Sequence, residues 1–517
     1  MGLRWMEGGS RPYTKVLIAN RGEIACRIIR ACRELGLKSV AIYAANDRES
    51  LFVEMADQAV ELNGGSLAET YLNIKQILEI AKSTQAGAIH PGFGFLSERS
   101  DFANAVQSSG LVWIGPSAQA IESMGDKMTA RRLMRKAGVP VIPGEEIDEV
   151  EEQAALAAIH EASQRVGLPL MLKASAGGGG KGMRMVEDFS EVRGAAMAAR
   201  REALSAFGDG RVYVERMITS TRHIEIQILA DSFGEVIHLC ERECSVQRRH
   251  QKVLEEAPSP VVSENLRAQM GAAAVNAAKA VSYEGAGTVE FLVTPHGTFH
   301  FLEMNTRIQV EHPITECITG IDLVCEQLRI AAGLPLGRGQ SDIKVNGHAI
   351  EVRIYAEDAN NGFLPVIGPL TVWSPPTGPG IRLDSGVRQG DEVTPEYDPM
   401  LAKLVVHASD RKAAIRRMKS ALSEFIILGT TTNIDFLQDL ISHPAYRAGK
   451  TTTDFIETNW PNGWNNTQTS SEVIFTAAIA QSSGTHRKIS ISTDAQFGDQ
   501  IRNDPMNPFI RIGRRFP

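Results

Sequence analysis

No apolar run in this 517-residue chain reaches the ~20 residues needed to span a bilayer. Its opening, up to Thr14, carries Arg4 but no apolar stretch of the kind a secretory leader requires. Cysteine is scarce: the six residues Cys26, Cys32, Cys240, Cys244, Cys317 and Cys325 are too few and scattered for a disulfide framework. Cys240 and Cys244 have the spacing of half a metal site, but no second Cys/His pair accompanies them. Buried, inert thiols are the better reading. Positive charge is not in excess either, since 54 Lys and Arg face 61 Asp and Glu for a net charge of −7. That balance leaves no basic footprint for nucleic acid, so any attraction for an anion has to be local. A reducing cytoplasmic or organelle-matrix location follows as an expectation, with neither membrane nor nucleic acid as partner.

The remaining composition, 43% hydrophobic and 22% charged, is ordinary for a soluble globular enzyme. A chain this long exceeds what one core supports, so two to four domains are expected. The segment 13–127 alternates strand and helix signals, from Lys15–Asn20 through a helix to about Leu35, then Ser39–Tyr43, Ala88–His90 and Val112–Gly115. Such a βαβα pattern predicts an α/β domain with an open, mostly parallel sheet and ligand sites at its strand ends. No G-x-G-x-x-G follows its first strand, so dinucleotide binding has no support there. A linking helix closes at 128–141, near Gly138 and Pro140. The segment 142–218 reads as a small inserted domain, with a helix over Asp148–Val166, a strand at Leu170–Ala174, a glycine-rich loop and a strand at Arg211–Arg216. Over 219–456 strands dominate, among them Ile224–Leu229, Thr288–Val293, Thr298–Glu303 and Ala349–Ile354, in a mixed α+β region. Residues 457–517 turn rich in Asn, Thr, Ser and Gln and read as linker and tail.

Four stretches carry chemistry. In Glu303–Glu311 every odd position is polar: Glu303, Asn305, Arg307, Gln309 and Glu311. In an extended chain these share one face, either a ligand surface or a solvated edge strand. Folding the hairpin at Pro295–Gly297 brings Glu290 opposite Glu303 within a residue or so of register, where one of the two carboxylates has to take up a proton unless a cation sits between them. With Asn305 they make an all-oxygen set suited to a hard divalent ion, although two surface acids are the plain alternative. Gly177, Gly178, Gly179 and Gly180 between Lys173 and Lys181 suit a mobile loop over phosphates, or else a flexible linker. Gly182 stands where a Walker A loop needs Ser or Thr. The run Glu241–Glu256 supplies Arg248, Arg249, His250 and Lys252 as a local positive field, or forms a solvated face. His90–Glu98 reads as a ligand loop or a tight turn, and Arg353, in an apolar strand, is either paired structurally or aimed into a site.

These segments together closely resemble biotin carboxylase, of the ATP-grasp superfamily, from Tyr13 to Ile456. The motifs are Ile18–Arg27, His90–Glu98, Met124–Lys127, Gly177–Met183, Cys244–Pro258, Glu303–Pro313 and Gly347–Asp358. The resemblance implies an ATP-grasp core with a mobile lid. It also implies that Lys127, Lys173 and Gly177–Gly180 hold ATP phosphates, with Glu215 and His223 on the adenine and ribose side and Gln247 and His250 as further nucleotide contacts. Glu290, Glu303 and Asn305 would bind two magnesium ions, with manganese as a possible substitute. Lys252, Arg307, Gln309 and the Val310 backbone resemble the bicarbonate pocket. Glu311 resembles the base, Arg353 the cation that steadies the biotin enolate, and Phe93 a part of the biotin site. The implied reaction is ATP- and bicarbonate-dependent carboxylation of biotin through carboxyphosphate, a ligase half-reaction of an acetyl-CoA or other acyl-CoA carboxylase.

Two departures stand out. Phe93 replaces the tyrosine usual in this motif, and Val366-Ile367 replaces the common Ser-Pro or Ser-Thr. Neither removes a catalytic group. No Met-Lys-Met biotinylation motif occurs, so biotin is expected on a separate carrier protein, or on the rest of a longer chain. The implied partners are a biotin carboxyl carrier protein or domain, a second copy in a homodimer, and a carboxyltransferase subunit. The competing readings are a pyruvate or urea carboxylase part, another ATP-grasp ligase such as a carbamoyl-phosphate-forming enzyme, and a non-catalytic scaffold protein.

Overall fold

The computed structural model describes residues 12–175 and 183–465. The stretch 176–182, which holds Gly177–Gly180 and Lys181, and the tail from 466 lie outside the described residues. The chain opens on the short apolar strand β1 (Lys15–Ile18), in which Val16, Leu17 and Ile18 are fully buried. It turns at Gly22 into α1 (Gly22–Glu34), whose Ile24, Ile28, Ile29 and Cys32 are buried. β2 (Lys38–Tyr43), β3 (Gln58–Glu61), β4 (Ala88–His90) and β5 (Val112–Trp113) complete a sheet ordered β3-β2-β1-β4-β5. Its pairs are all parallel. The connections diverge between β1 and β4, which opens a crevice at their carboxyl ends. There Asn20 Nδ2 donates to the carbonyls of Pro91 and Phe93, each at 2.7 Å, and ties the two loops together. Gly92 is required at this point: its φ is +64°, and a Cβ would come within 2.9 Å of Asn20 Nδ2.

β6 (Gly144–Glu146), β7 (Leu170–Ala174), β8 (Met183–Val186) and β9 (Val212–Arg216) form an antiparallel sheet ordered β6-β9-β7-β8. The Glu152–Val166 and Val192–Phe207 helices pack on it through a core that includes Ile159, Leu170, Leu172, Val192, Val212 and Val214. The helix expected from Asp148 begins at Glu152. The Glu151 carboxylate caps it by accepting from the Gln153 and Ala154 amides, whereas Asp148 is engaged by Arg132 at 2.6 Å.

The largest sheet has eight strands. Its order is β14 (Phe299–Asn305), β13 (Gly285–Val293), β10 (Arg222–Ala230), β11 (Val236–Arg248), β12 (Gln251–Ala257), β15 (His348–Tyr355), then Met400–Ala408 and Ile381–Ser385. The run Glu241–Glu256 spans β11, its hairpin and β12, and the solvated-face reading fails there. Glu241, Arg242, Glu255 and Glu256 are fully buried. Burial is tolerated because each acid meets a cation: Arg267 at Glu241, Arg222 at Glu243, Arg353 at Glu255 and Arg411 at Glu256, which His348 also approaches at 2.8 Å.

The Phe455–Asn459 helix and the segment after it stay packed as far as Trp464, whose indole Nε1 donates to Asp439 Oδ2 at 2.8 Å. No described helix is long and apolar enough to cross a membrane. All six cysteines are free thiols, and five of them are buried.

Candidate active site

The site is built on a row of directly paired residues across four strands. β13 and β14 pair Glu290 with Glu303, as the hairpin spacing predicts, and Thr288 with Asn305. β10 sets Glu225 opposite Glu290, and β11 sets Arg242 opposite Glu225. Direct cross-strand partners share a face, so three carboxylates and a guanidinium line up side by side. Lys252 enters from β12 and donates to Glu225 Oε2 (2.5 Å), Glu311 Oε1 (2.6 Å) and Glu290 Oε1 (2.9 Å). Burial works against the Lys252 ammonium, but its three carboxylate neighbours hold its pKa well above the usual lysine range. Burial likewise works against ionised Glu290 and Glu311. Lys252 and His223 nevertheless pull Glu290 well below the carboxylate range, and Lys252, Arg353 and Arg242 do the same for Glu311. Glu225 goes the other way, pushed up by burial.

The alternation from Glu303 to Glu311 shares one face only as far as Asn305, where β14 ends. The chain then turns, and Glu311 is the residue that precedes the His312–Thr319 helix. Arg307, Gln309 and Glu311 reach the site from this turn rather than from a strand. Arg307 Nε donates to Glu98 Oε2 (2.8 Å) and Nη2 to Asn305 Oδ1 (3.1 Å), while Gln309 Nε2 donates to Glu290 Oε1 (3.1 Å). Arg353 proves to be both paired and aimed into the site. Its Nε donates to Glu255 Oε1 at 2.8 Å and its Nη2 to Glu311 Oε2 at 3.0 Å. Burial pushes Glu255 up to about 7, against the pull of Arg353.

A cavity of about 1040 Å³ joins this cluster to the sheet β6-β9-β7-β8. Lys127, Lys173, Glu215, His223, Gln247, His250, Lys252, Glu290, Glu303, Asn305, Arg307, Gln309, Val310, Arg353 and Phe93 all line it. Lys127 opens the Lys127–Lys136 helix, with Nζ 3.5 Å from Glu303 Oε2. Lys173 Nζ lies 2.6 Å from Glu215, which is also held by Arg131. His223 Nε2 is 2.7 Å from Glu290 Oε2 and its Nδ1 is 2.7 Å from Gln247 Nε2. His250 stands exposed in the β11–β12 hairpin at φ +67°. Ile142, Met171, Met183, Leu292 and Leu302 supply apolar lining of the kind a flat base packs against.

Sequence reasoning missed Glu225, Arg242, Glu255 and Glu98. A signal for Glu225 was present, because an acid between Ile224 and Ile226 in an apolar strand has to be paired. Arg242 and Glu255 were hidden in a charged run that reads as surface. Nothing in the sequence joins Glu98 to Arg307.

The comparisons with known proteins agree with one another. Three family profiles match: biotin carboxylase, N-terminal domain, over 12–121; carbamoyl-phosphate synthase L chain, ATP binding domain, over 126–338; and biotin carboxylase C-terminal domain, over 351–458. Biotin carboxylase of a Nostoc species is 49% identical over 445 residues, which is 86% of this chain and 99% of the relative. The chain belongs to the biotin carboxylase family. Its activity is that of biotin carboxylases, which are ATP-dependent ligases and the carboxylating component of biotin-dependent carboxylases. A pyruvate carboxylase subunit of Methanothermobacter thermautotrophicus is 51% identical over 447 residues, 86% of this chain and 90% of that relative. The alpha chain of mouse mitochondrial methylcrotonoyl-CoA carboxylase also matches, but the chain spans only 63% of that relative's length. Among solved structures, the biotin carboxylase domain dimer of Hydrogenobacter thermophilus 2-oxoglutarate carboxylase, with MgADP, ADP and bicarbonate, has a TM-score of 0.84 at 44% identity. The likeness covers 89% of this chain and 100% of that one.

Proposed function

We propose that this biotin carboxylase uses ATP to phosphorylate bicarbonate and passes the resulting CO2 to biotin on a carrier protein or domain. The observation that carries the reading is the convergence of Lys252 and Arg353 on opposite oxygens of Glu311, beside Arg307 and Gln309. One buried carboxylate, kept ionised by two cations, can take a proton from an anion bound beside it once that anion draws the two cations onto itself and so raises the basicity of Glu311. A bicarbonate oxygen attacks the γ-phosphorus of ATP, ADP leaves, and carboxyphosphate breaks down to CO2 and phosphate. That phosphate removes the biotin N1′ proton, and the enolate captures CO2. Arg353 holds the ureido oxygen as it becomes an oxyanion, a duty whose loss typically costs roughly 10²–10³ in rate.

Lys127 and Lys173 hold the nucleotide phosphates, together with Gly177–Gly180, which lie outside the described residues. The sheet β6-β9-β7-β8 acts as a lid that keeps water from the intermediate. The opposed carboxylates of Glu290 and Glu303, with the Asn305 amide oxygen, fit magnesium as an all-oxygen donor set. Magnesium bound there supplies charge neutralisation for phosphoryl transfer. The carrier presents its biotin at the mouth near Phe93, and the carboxyltransferase that receives the carboxyl group acts on an acyl-CoA. A keto acid is the second reading, favoured by the pyruvate carboxylase relative. As in the Hydrogenobacter relative, two copies form a homodimer.

The test is ADP formation. It should depend on bicarbonate, rise with free biotin, and vanish in Lys252→Ala and Glu303→Ala. ATP cleavage indifferent to bicarbonate would contradict the proposal.

A further inference from the structure

Lys403 is fully buried in the strand Met400–Ala408, between the apolar residues Leu401, Ala402, Leu404 and Val405. An ammonium there is costly to desolvate, and an apolar side chain would serve packing at least as well. Its surroundings give it a particular task. Its Nζ donates to the Val310 carbonyl at 2.9 Å and is held by Glu23 Oε1 at 3.1 Å and Asp384 Oδ2 at 4.0 Å. Glu23 lies in the first turn of α1, and Asp384 lies directly opposite Lys403 on the neighbouring strand. On the other side its cross-strand partner is Arg353. Two adjacent cations on one sheet face therefore grip two consecutive residues of the same turn. Arg353 takes the Glu311 carboxylate and Lys403 takes the carbonyl just before it. That carbonyl belongs to the peptide unit that joins Val310 to Glu311, so fixing its plane fixes the position of the Glu311 Cα, from which the side chain leaves, and the Arg353 contact holds the other end of that side chain.

We propose that Lys403 is a positioning residue for bicarbonate use, setting the Val310–Glu311 peptide and, through Glu23, coupling it to the first helix of the chain. The inference rests on the bicarbonate reading of the Arg307–Glu311 segment. Among the described residues, the hydrogen-bond and ion-pair partners of Lys403 are Val310, Glu23 and Asp384, none of them assigned to the nucleotide, so its loss should fall on one substrate only.

The experiment is steady-state kinetics on Lys403→Met and Lys403→Gln, with MgADP affinity measured by calorimetry on the same preparations. Lys403→Met should raise KM for bicarbonate or lower kcat by roughly tenfold to a hundredfold, the scale expected for a reacting group displaced by a fraction of an ångström to one ångström. MgADP affinity should be unchanged, and Lys403→Gln, which keeps a donor, should recover part of the loss. Were the Met variant not to fold, Glu23→Gln takes its place, since it removes the 3.1 Å counter-ion but leaves the lysine. It should show the same selective rise in KM for bicarbonate. Bicarbonate-dependent wild-type activity with unchanged bicarbonate kinetics in the variants overturns the Lys403 assignment alone, as does an equal loss of MgADP affinity. Wild-type ATP cleavage that ignores bicarbonate overturns the underlying reading and this assignment with it.

Discussion

One ammonium, Lys252, is shared among three buried carboxylates, and this arrangement governs the chemistry at the residue scale. Removing it leaves Glu225, Glu290 and Glu311 facing one another with a cation missing. Breaking a buried pair in this way typically costs roughly 3–5 kcal/mol. Lys252→Ala should therefore lose both carboxylation and stability, the second measurable as a lower midpoint in urea unfolding. A second residue ties the site to pH. His90 ends β4 fully buried, and its Nδ1 accepts the Gly92 amide at 3.0 Å. Burial, helped by the Arg27 charge, lowers its pKa from 6.5 to about 3. The folded state therefore resists a proton that the unfolded chain accepts. Its contribution to stability is whole above about pH 6.5 and is lost progressively as pH falls from there towards about 3. His90→Asn should flatten the fall in urea midpoint between pH 7 and pH 5, and a slope equal to wild type would contradict this.

At the scale of elements, close backbone approaches set tolerances. A Cβ on Gly386, just past the Ile381–Ser385 strand, would meet Glu23 N at 2.4 Å and Gly22 C at 2.6 Å. Overpacking of this kind typically costs about 1–3 kcal/mol. Gly386→Ala should lower Tm accordingly and, by shifting the start of α1, weaken the hold of Glu23 on Lys403. How far the elements were legible depended on the range of the forces that place them. The parallel sheet and the Glu290–Glu303 register could be read because period-two patterning and hairpin length are local signals. The end of β14 at Asn305 was not legible: the polar alternation continues past it, and only the tertiary pairs Arg307–Glu98 and Lys403–Val310 show where the chain turns away. The charged run in β11 and β12 misled for the same reason. A buried acid paired with a distant arginine and an exposed acid look alike in sequence.

For the whole molecule, the candidate site draws on three regions: the loops after β1 and β4, the cross-strand row of the large sheet, and the sheet β6-β9-β7-β8. Candidates that line one cavity could be named from motifs, while the residues that hold them (Glu98, Glu225, Glu255 and Lys403) come from segments far apart in sequence and needed the fold. Metal dependence belongs to this scale, because Glu290 and Glu303, the proposed metal ligands, pair across two strands and line the same cavity as the residues proposed for the nucleotide and the anion. Chelation of divalent ions should stop ATP cleavage without unfolding the protein, as checked by circular dichroism, and added magnesium should restore it. The most direct test of the central claim is the rate of ADP release by the wild-type protein with MgATP and free biotin, in the presence and absence of bicarbonate. Release that requires bicarbonate and disappears in Lys252→Ala is predicted; release at the same rate without bicarbonate would contradict the account.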